Sequence, residues 1–303
     1  MKKILFTRDF KYPTGGHVTV RDYFIHSLNH PGLDPYLYFT PGSKYATDDT
    51  WQEIPQERIV KELAPENYDL FFVGGRDWLF LPAALENKKV IHTVQDFRFA
   101  QKAEFQAYLK RPAYRICNSQ ELYEAIARHI TGVAVVISGG IDFELFNANE
   151  EKKPNSILIW GRKNVEFAAR LFEELKKRGL AAQLLVDSLP RKEFAELLQR
   201  SDIFIPLLAK KEGAPRPPLE GMASRCVVIC SDAEGNRSYC LDGQTCLLPR
   251  SESLEDYLAA IQQLADDSEL KERIRHYGYK MSQRYTLAEQ RRRYYDFLDE
   301  YLL

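Results

Sequence analysis

The 303-residue chain has no stretch that approaches the roughly 18 consecutive apolar residues of a membrane-spanning helix. Its first residues, Met1-Lys2-Lys3-Ile4-Leu5-Phe6-Thr7-Arg8-Asp9, begin basic, but their apolar run is far too short for a signal peptide. An excess of either charge is lacking as well. Lys and Arg number 42 against 43 Asp and Glu, and a net charge of −1 gives no overall attraction to nucleic acid. Cysteine is scarce and odd in number: Cys117, Cys226, Cys230, Cys240 and Cys246 point to reduced thiols in a cytoplasmic protein rather than a disulfide framework. Cys226 and Cys230, in the run Cys226-Val227-Val228-Ile229-Cys230, would face one side of a strand. No second Cys/His pair at ligand spacing completes a zinc site there, so buried structural thiols are expected. No Asp-x-Asp triplet occurs, and no essential metal is expected. There is neither an internal repeat nor a low-complexity segment.

What is present is an ordinary globular composition, 45% apolar and 28% charged, in a chain long enough for two domains. Short apolar runs alternate with helical stretches. In the first half they are Ile4–Thr7, Tyr36–Thr40, Leu70–Val73, Val90–Thr93, Arg115–Cys117 and Val133–Ile137. In the second half they are Ile157–Trp160, Gln183–Val186, Ile203–Pro206, Val227–Cys230 and Thr245–Leu248. Continuous rather than alternating runs indicate strands covered on both faces, and strands alternating with helices imply parallel sheets, hence an α/β protein of two Rossmann-like halves. The charged segment Asn147–Asn155 breaks the pattern and predicts the linker, with a cleft between the halves. Domains are therefore expected over 1–147 and 148–284. Thr286-Leu287-Ala288-Glu289 reads as a capping box that opens a last helix, within 285–303. Arg291, Arg292 and Arg293 on that helix point to different faces and read as solvated surface.

Glu212 and Glu220 are the most informative residues. They lie in Glu212-Gly213-Ala214-Pro215-Arg216-Pro217-Pro218-Leu219-Glu220-Gly221-Met222-Ala223, directly after the run Asp202–Pro206. That is strand, loop and helix, and the carboxyl end of such a strand is where an open α/β sheet binds ligands. Glu220, one turn into the helix, could accept hydrogen bonds from a ribose diol while the open N–H groups of the helix start face a phosphate. Two surface glutamates flanking a helix start would give the same local pattern. After Ile157–Trp160 comes Gly161-Arg162-Lys163-Asn164, two cations on a turn with Asn164 placed to cap the next helix. Arg162 and Lys163 suit a diphosphate, although an exposed basic turn would look alike. Gly15 and Gly16 follow the first strand and permit close backbone approach to an anion, but they do not form Gly-x-Gly-x-x-Gly, so a simple turn competes. His92 ends an apolar run, a place where a histidine is more often a hydrogen-bonded core residue.

Taken together, these segments resemble the retaining glycosyltransferases of the GT-B fold, in particular glycosyltransferase family four (glycosyl transferases group 1). The resemblance covers most of the chain and is strongest from Ile157 to Pro249. It rests on the Glu212–Ala223 signature, the lead-in Leu197–Pro206, the sequel Val227–Asp232, and Ser138–Phe146, which is similar to the segment closing the N-terminal domain. It implies two Rossmann-like domains facing a central cleft, the first on the acceptor side and the second on the donor side, with the C-terminal helix packing back toward the N-terminal domain. It also implies a hexosyltransferase that keeps the anomeric configuration, works without a metal or cofactor, and serves glycan or glycoconjugate synthesis.

By the same resemblance, Arg162 and Lys163 would hold the donor diphosphate, Glu212 would contact hydroxyls of the transferred sugar, and Glu220 would bind the ribose. Gly15 and Gly16 would border the pocket, and His92 would sit beside the sugar. Gly213, Ala214, Arg216 and Leu219 would complete the donor site. Where many relatives carry Gly-Phe-Gly-Leu, this chain has Gly213-Ala214-Pro215-Arg216, which exchanges an N–H for a cation. The implied partners are a UDP- or GDP-sugar and a carbohydrate, lipid-linked or protein acceptor. Nucleic acid is not among them, and peripheral contact with the inner face of a membrane stays open. Two other activities fit the residues: a sugar-nucleotide epimerase of the same fold, and a catalytically silent nucleotide-sugar-binding subunit.

Overall fold

A computed structural model describes residues 1–47, 49–82, 85, 88–147 and 151–303. The chain divides into two compact units, Met1–Gly140 with Leu287–Leu303, and Ile141–Thr286. The first unit therefore ends ahead of the charged Asn147–Asn155 segment, of which Ala148, Asn149 and Glu150 lie outside the described residues. Ile141 and Phe146 belong to the core of the second unit, and the Ile141 N–H bonds to the Tyr285 carbonyl at 2.6 Å.

The first unit runs β1 (Lys2–Arg8), α1 (Gly15–Leu28), β2 (Leu33–Phe39), β3 (Ile59–Val60), β4 (Leu70–Gly74), β5 (Lys89–Val94), α2 (Arg98–Gln101), α3 (Ala103–Leu109), β6 (Tyr114–Cys117), α4 (Gln120–Ile126) and β7 (Ala134–Val136). Its sheet has the order β3-β2-β1-β4-β5-β6-β7, parallel throughout. The strand order reverses between β1 and β4, the arrangement of a doubly wound fold. Phe6 sits opposite Leu37 and Phe72, and the Phe6 and Phe72 rings stack at 4.5 Å beneath Tyr23 and Phe24 of α1.

The second unit runs β8 (Lys153–Trp160), α5 (Val165–Lys177), β9 (Ala182–Leu185), α6 (Arg191–Arg200), β10 (Ser201–Pro206), α7 (Arg216–Ala223), β11 (Val227–Val228), α8 (Leu254–Asp266) and α9 (Ser268–Ser282). Its parallel sheet has the order β11-β10-β8-β9, so the chain leaves β8 toward β9 and returns to the other side of β8 as β10. Strand alternation sorts the core. Ile157, Ile159, Ile203 and Ile205 face α5, α8 and α9, while Leu158, Phe204 and Val228 face α6 and α7.

A last helix, α10 (Leu287–Tyr301), returns to the first unit, where Tyr294, Phe297 and Leu298 enter the core. Ser27 Oγ lies 3.1 Å from the Tyr294 hydroxyl and His26 Nε2 3.2 Å from Gln290 Oε1, so its inner face is polar in part, and Gln290 Nε2 is buried without a hydrogen-bond partner among the described residues. Arg291, Arg292 and Arg293 are exposed, and two of them donate to Glu289. Thr245–Leu248 does not form a named strand. Leu247 bridges Ile229, with its N–H on the Val228 carbonyl at 2.9 Å, and the pairing stops there. Among the described residues, no helix is long and apolar enough to cross a membrane.

Candidate functional site

In the second unit the strand order reverses at β8 and β10, and ligands of open α/β sheets bind outside the carboxyl ends of strands at such a point. Two loops leave the sheet there side by side, because the Leu207 N–H bonds to the Trp160 carbonyl at 2.9 Å. One is the Gly161-Arg162-Lys163 turn. Gly161 packs so closely on α5 that a Cβ would stand 2.2 Å from that of Ala168, and Asn164 caps α5 by accepting from the Phe167 N–H. Arg162 is half-buried and Lys163 exposed.

The other is the Leu207–Pro215 loop, and the backbone fixes it at several points. Glu212 turns its carboxylate back to accept from the Ala209 N–H at 2.9 Å. The Gly235 N–H donates to the Glu212 carbonyl at 3.0 Å, the Glu234 N–H to the Lys210 carbonyl at 2.9 Å, and the Tyr239 hydroxyl to the Pro215 carbonyl at 2.6 Å. Gly235 is required at this contact: any Cβ would lie 2.0 Å from the Gly213 oxygen. Lys211 pairs with Glu234 across the same contact.

Helix α7 then begins at Arg216. Four N–H groups at a helix start lack intrahelical partners, and here Pro215, Pro217 and Pro218 remove three of them, leaving that of Arg216. Cationic side chains supplement the weakened helix start. Arg216 Nε approaches Glu220 Oε1 at 3.4 Å, and Arg191, the first residue of α6, approaches the same oxygen at 3.7 Å while lying over the Phe146 ring. Glu220 is only 5% exposed, so it does not face solvent as a lone acceptor on a first turn. It is the anion that organises two arginines at the heads of two helices. Arg191 has no motif around it, and the sequence gives no sign that α6 starts beside Glu220. Gly213 is buried, Ala214 half-buried, and Leu219 belongs to the core beneath the loop.

The first unit has its own constellation at the strand ends where its order reverses. Arg8, the last residue of β1, donates to Asp77 at 2.7 Å and to the Gly74 carbonyl at 3.3 Å, and its guanidinium lies 2.8 Å from His17 Nδ1. Burial, then the Arg8 charge, pushes His17 down to about 3, so its ring is neutral and accepts at Nδ1. Burial raises Asp77 to about 6 against the opposing pull of Arg8. Gly15 and Gly16 open α1 beside this network, behind the Thr14 cap, and a Cβ on Gly16 would meet the Gln95 side chain at 2.7 Å.

His92 is fully buried, with its ring between Trp78 and Phe99. Its Nε2 lies 3.3 Å from the Gly75 carbonyl, which can only accept, so the proton sits on Nε2. Burial lowers it to about 3. His92 is thus the hydrogen-bonded core residue that its place in an apolar run predicts, and no atom of it is open to a sugar in this conformation.

The glycosyl transferases group 1 family model matches residues 119–281. Among solved structures, Anabaena HepE in complex with UDP-glucose aligns at a TM-score of 0.76 and 13% identity, over 99% of this chain and 100% of that one. Sucrose-phosphate synthase from Thermosynechococcus elongatus aligns at 0.75 and 14%, over 99% of both chains. A glycosyltransferase from Rickettsia africae aligns at 0.73 and 14%, over 99% of this chain and 98% of that one. These likenesses establish the GT-B fold, and a comparison with curated protein sequences finds no match. Because the family model spans more than half of its length, the chain belongs to the glycosyl transferases group 1 family.

Proposed function

We propose that this glycosyltransferase moves a sugar from a UDP- or GDP-linked donor to an acceptor hydroxyl with retention of anomeric configuration and without a metal. The observation that carries this reading is the convergence of the Arg162-Lys163 turn with the Glu212–Glu220 segment at the strand-order reversal of the second unit. The likeness to HepE in complex with UDP-glucose supports a nucleotide-sugar donor.

In this reading Arg162, Lys163 and the Arg216 N–H neutralise the diphosphate, with Leu219 packed beneath the loop. Gly213 and Ala214 offer backbone to the sugar phosphate, Glu212 accepts from hydroxyls of the transferred sugar, and Glu220 accepts from the ribose. The bond from the anomeric carbon to the diphosphate oxygen breaks, leaving positive charge on the sugar and negative charge on the leaving group. Stabilising that negative charge is the main work of the protein, and fixed cations do it without reorganisation. The acceptor oxygen bonds to the anomeric carbon on the face that the diphosphate leaves, and its proton passes to the departing phosphate oxygen. No carboxylate nucleophile is needed. In the first unit, Gly15 and Gly16 present backbone to the acceptor, and His92 acts from the core by holding the Gly75 carbonyl.

The test is incubation with a panel of UDP- and GDP-sugars, with and without sugar acceptors, following nucleoside diphosphate release and the anomeric proton of the product by NMR. Acceptor-dependent release with a retained anomer is expected. Inversion would remove the retaining mechanism, conversion of the donor sugar without an acceptor would indicate an epimerase, and binding without turnover a silent subunit.

A further inference from the structure

Cys230 does not pair with Cys226, its neighbour in the sequence pattern. Cys226 Sγ lies 3.1 Å from the Leu198 carbonyl, whereas Cys230 Sγ lies 3.5 Å from Cys240 Sγ, and Cys246 completes a triangle in which all three sulfurs are within 4.8 Å of one another. The three side chains arrive from different places. Cys230 follows β11, Cys240 follows the short helical turn Glu234–Asn236, and Cys246 precedes Leu247, whose carbonyl accepts from the Cys230 N–H at 3.0 Å. All three are buried, at 0%, 3% and 0% exposure, within the core formed with Met222, Ala233 and Tyr239.

A zinc–thiolate bond is about 2.3 Å long, so sulfurs sharing one ion stand about 3.8–4.0 Å apart in tetrahedral or trigonal geometry. One side of the triangle is 3.5 Å and none exceeds 4.8 Å, so a small adjustment reaches that spacing. Three thiolates around one divalent cation carry a net charge of −1. A monovalent cation would bury −2, at a larger desolvation penalty. All-sulfur ligation selects soft ions over magnesium, calcium or manganese.

We propose that Cys230, Cys240 and Cys246 form a trithiolate site for one soft divalent d10 cation of the zinc and cadmium type. Binding forms three metal–sulfur bonds and releases the thiol protons to solvent. The site lies behind the donor loop. Tyr239, adjacent to Cys240, holds the Pro215 carbonyl, and Gly235 holds the Glu212 carbonyl, so an ion here would brace the segment against which Glu212 and Glu220 are set. This inference does not depend on the proposed transfer reaction.

The test uses untagged, reduced full-length protein titrated with Cd²⁺, following the ultraviolet sulfur-to-cadmium charge-transfer band, with Cys240→Ser, Cys246→Ser and, as control, Cys117→Ser. One equivalent with release of protons is expected. Each ligand substitution should weaken binding more than about 100-fold, beyond the range for losing an outer-shell partner, while the control binds as wild type. Should the serine variants not fold, wild-type protein decides alone: Zn²⁺ should protect these three cysteines, and not Cys117, from alkylation during partial denaturation. Absence of the band, an equal band in Cys246→Ser, unprotected thiols, or a mass lower by two hydrogens from a Cys230–Cys240 disulfide would each overturn the proposal.

Discussion

Arg216 and Glu220 form an ion pair across one turn of α7, 3.4 Å apart with side chains only 8% and 6% exposed, and Arg191 joins the same carboxylate oxygen from α6. A carboxylate so placed fixes the position of two cations as well as accepting hydrogen bonds itself. A nucleoside diphosphate at this site would offer ribose hydroxyls to the carboxylate and phosphate oxygens to the arginines.

Replacing Glu220 by Ala is expected to weaken binding of the bare nucleoside diphosphate by about 1.5–3 kcal/mol, the range for a hydrogen bond to a charged group. Because two arginines lose their buried anion, the melting temperature of the free protein should fall too. Calorimetric titration and a thermal melt measure the two effects. Unchanged affinity would remove Glu220 from the nucleotide site.

Glu212→Gln keeps an oxygen that can accept from the Ala209 N–H and removes the charge. Affinity for the bare nucleoside diphosphate should survive, since that ligand lacks the sugar, while transfer falls much further, as expected for a contact used in the transition state. Parallel losses in binding and turnover would contradict a role at the transferred sugar.

Gly235→Ala places a methyl group 2.0 Å from the Gly213 oxygen and 2.5 Å from the Glu212 oxygen, both backbone atoms that a rotamer change cannot relieve. The donor loop must move, and turnover should drop sharply. Gly179→Ala is the comparison, at φ +74° with nothing nearby; it should cost about 1–2 kcal/mol from its left-handed backbone and leave turnover unchanged. Full activity in Gly235→Ala would show that the loop does not depend on this contact.

His92 is neutral in the folded protein down to about pH 3, against 6.5 in an unfolded chain. Below pH 6.5 unfolding therefore takes up a proton at this site, and stability falls with falling pH by up to about 1.4 kcal/mol per unit until about pH 3. Asp77, raised to about 6, works in the opposite direction between pH 6 and 3.8. Urea midpoints from pH 4 to 7 for wild type and His92→Gln isolate the contribution of His92, since Gln can still donate to the Gly75 carbonyl. The variant should be less stable at pH 7 and show a shallower dependence, and equal slopes would contradict a buried neutral imidazole.

The strands were legible because sheets covered on both faces turn whole runs such as Leu70–Val73 and Ile203–Pro206 apolar. Asn164 was legible as a cap because capping is a local property. β3 was not, since two half-buried residues at a sheet edge leave no periodic signal. The surroundings of Glu220 were also hidden. Its spacing from Glu212 put it on α7, but only the packing of α6 brings Arg191 to it, and only burial makes Arg216 its partner. The three cysteines escaped for the same reason: Cys240 and Cys246 reach Cys230 through turns, and none of their spacings matches a local motif.

The central claim is that protein cations at the β8 turn neutralise the leaving diphosphate. The most direct measurement is a coupled assay of nucleoside diphosphate release for wild type, Arg162→Ala, Lys163→Ala and the double variant, each with and without brief exposure to EDTA. Wild-type activity should persist with chelator, and the double variant should lose most turnover, more than either single change, because neighbouring charges on one turn partly cover for each other. A slow loss that Zn²⁺ alone restores would belong to the thiolate site. Collapse of wild-type activity on chelation with recovery on Mg²⁺ or Mn²⁺, or full activity in the double variant, would contradict the account.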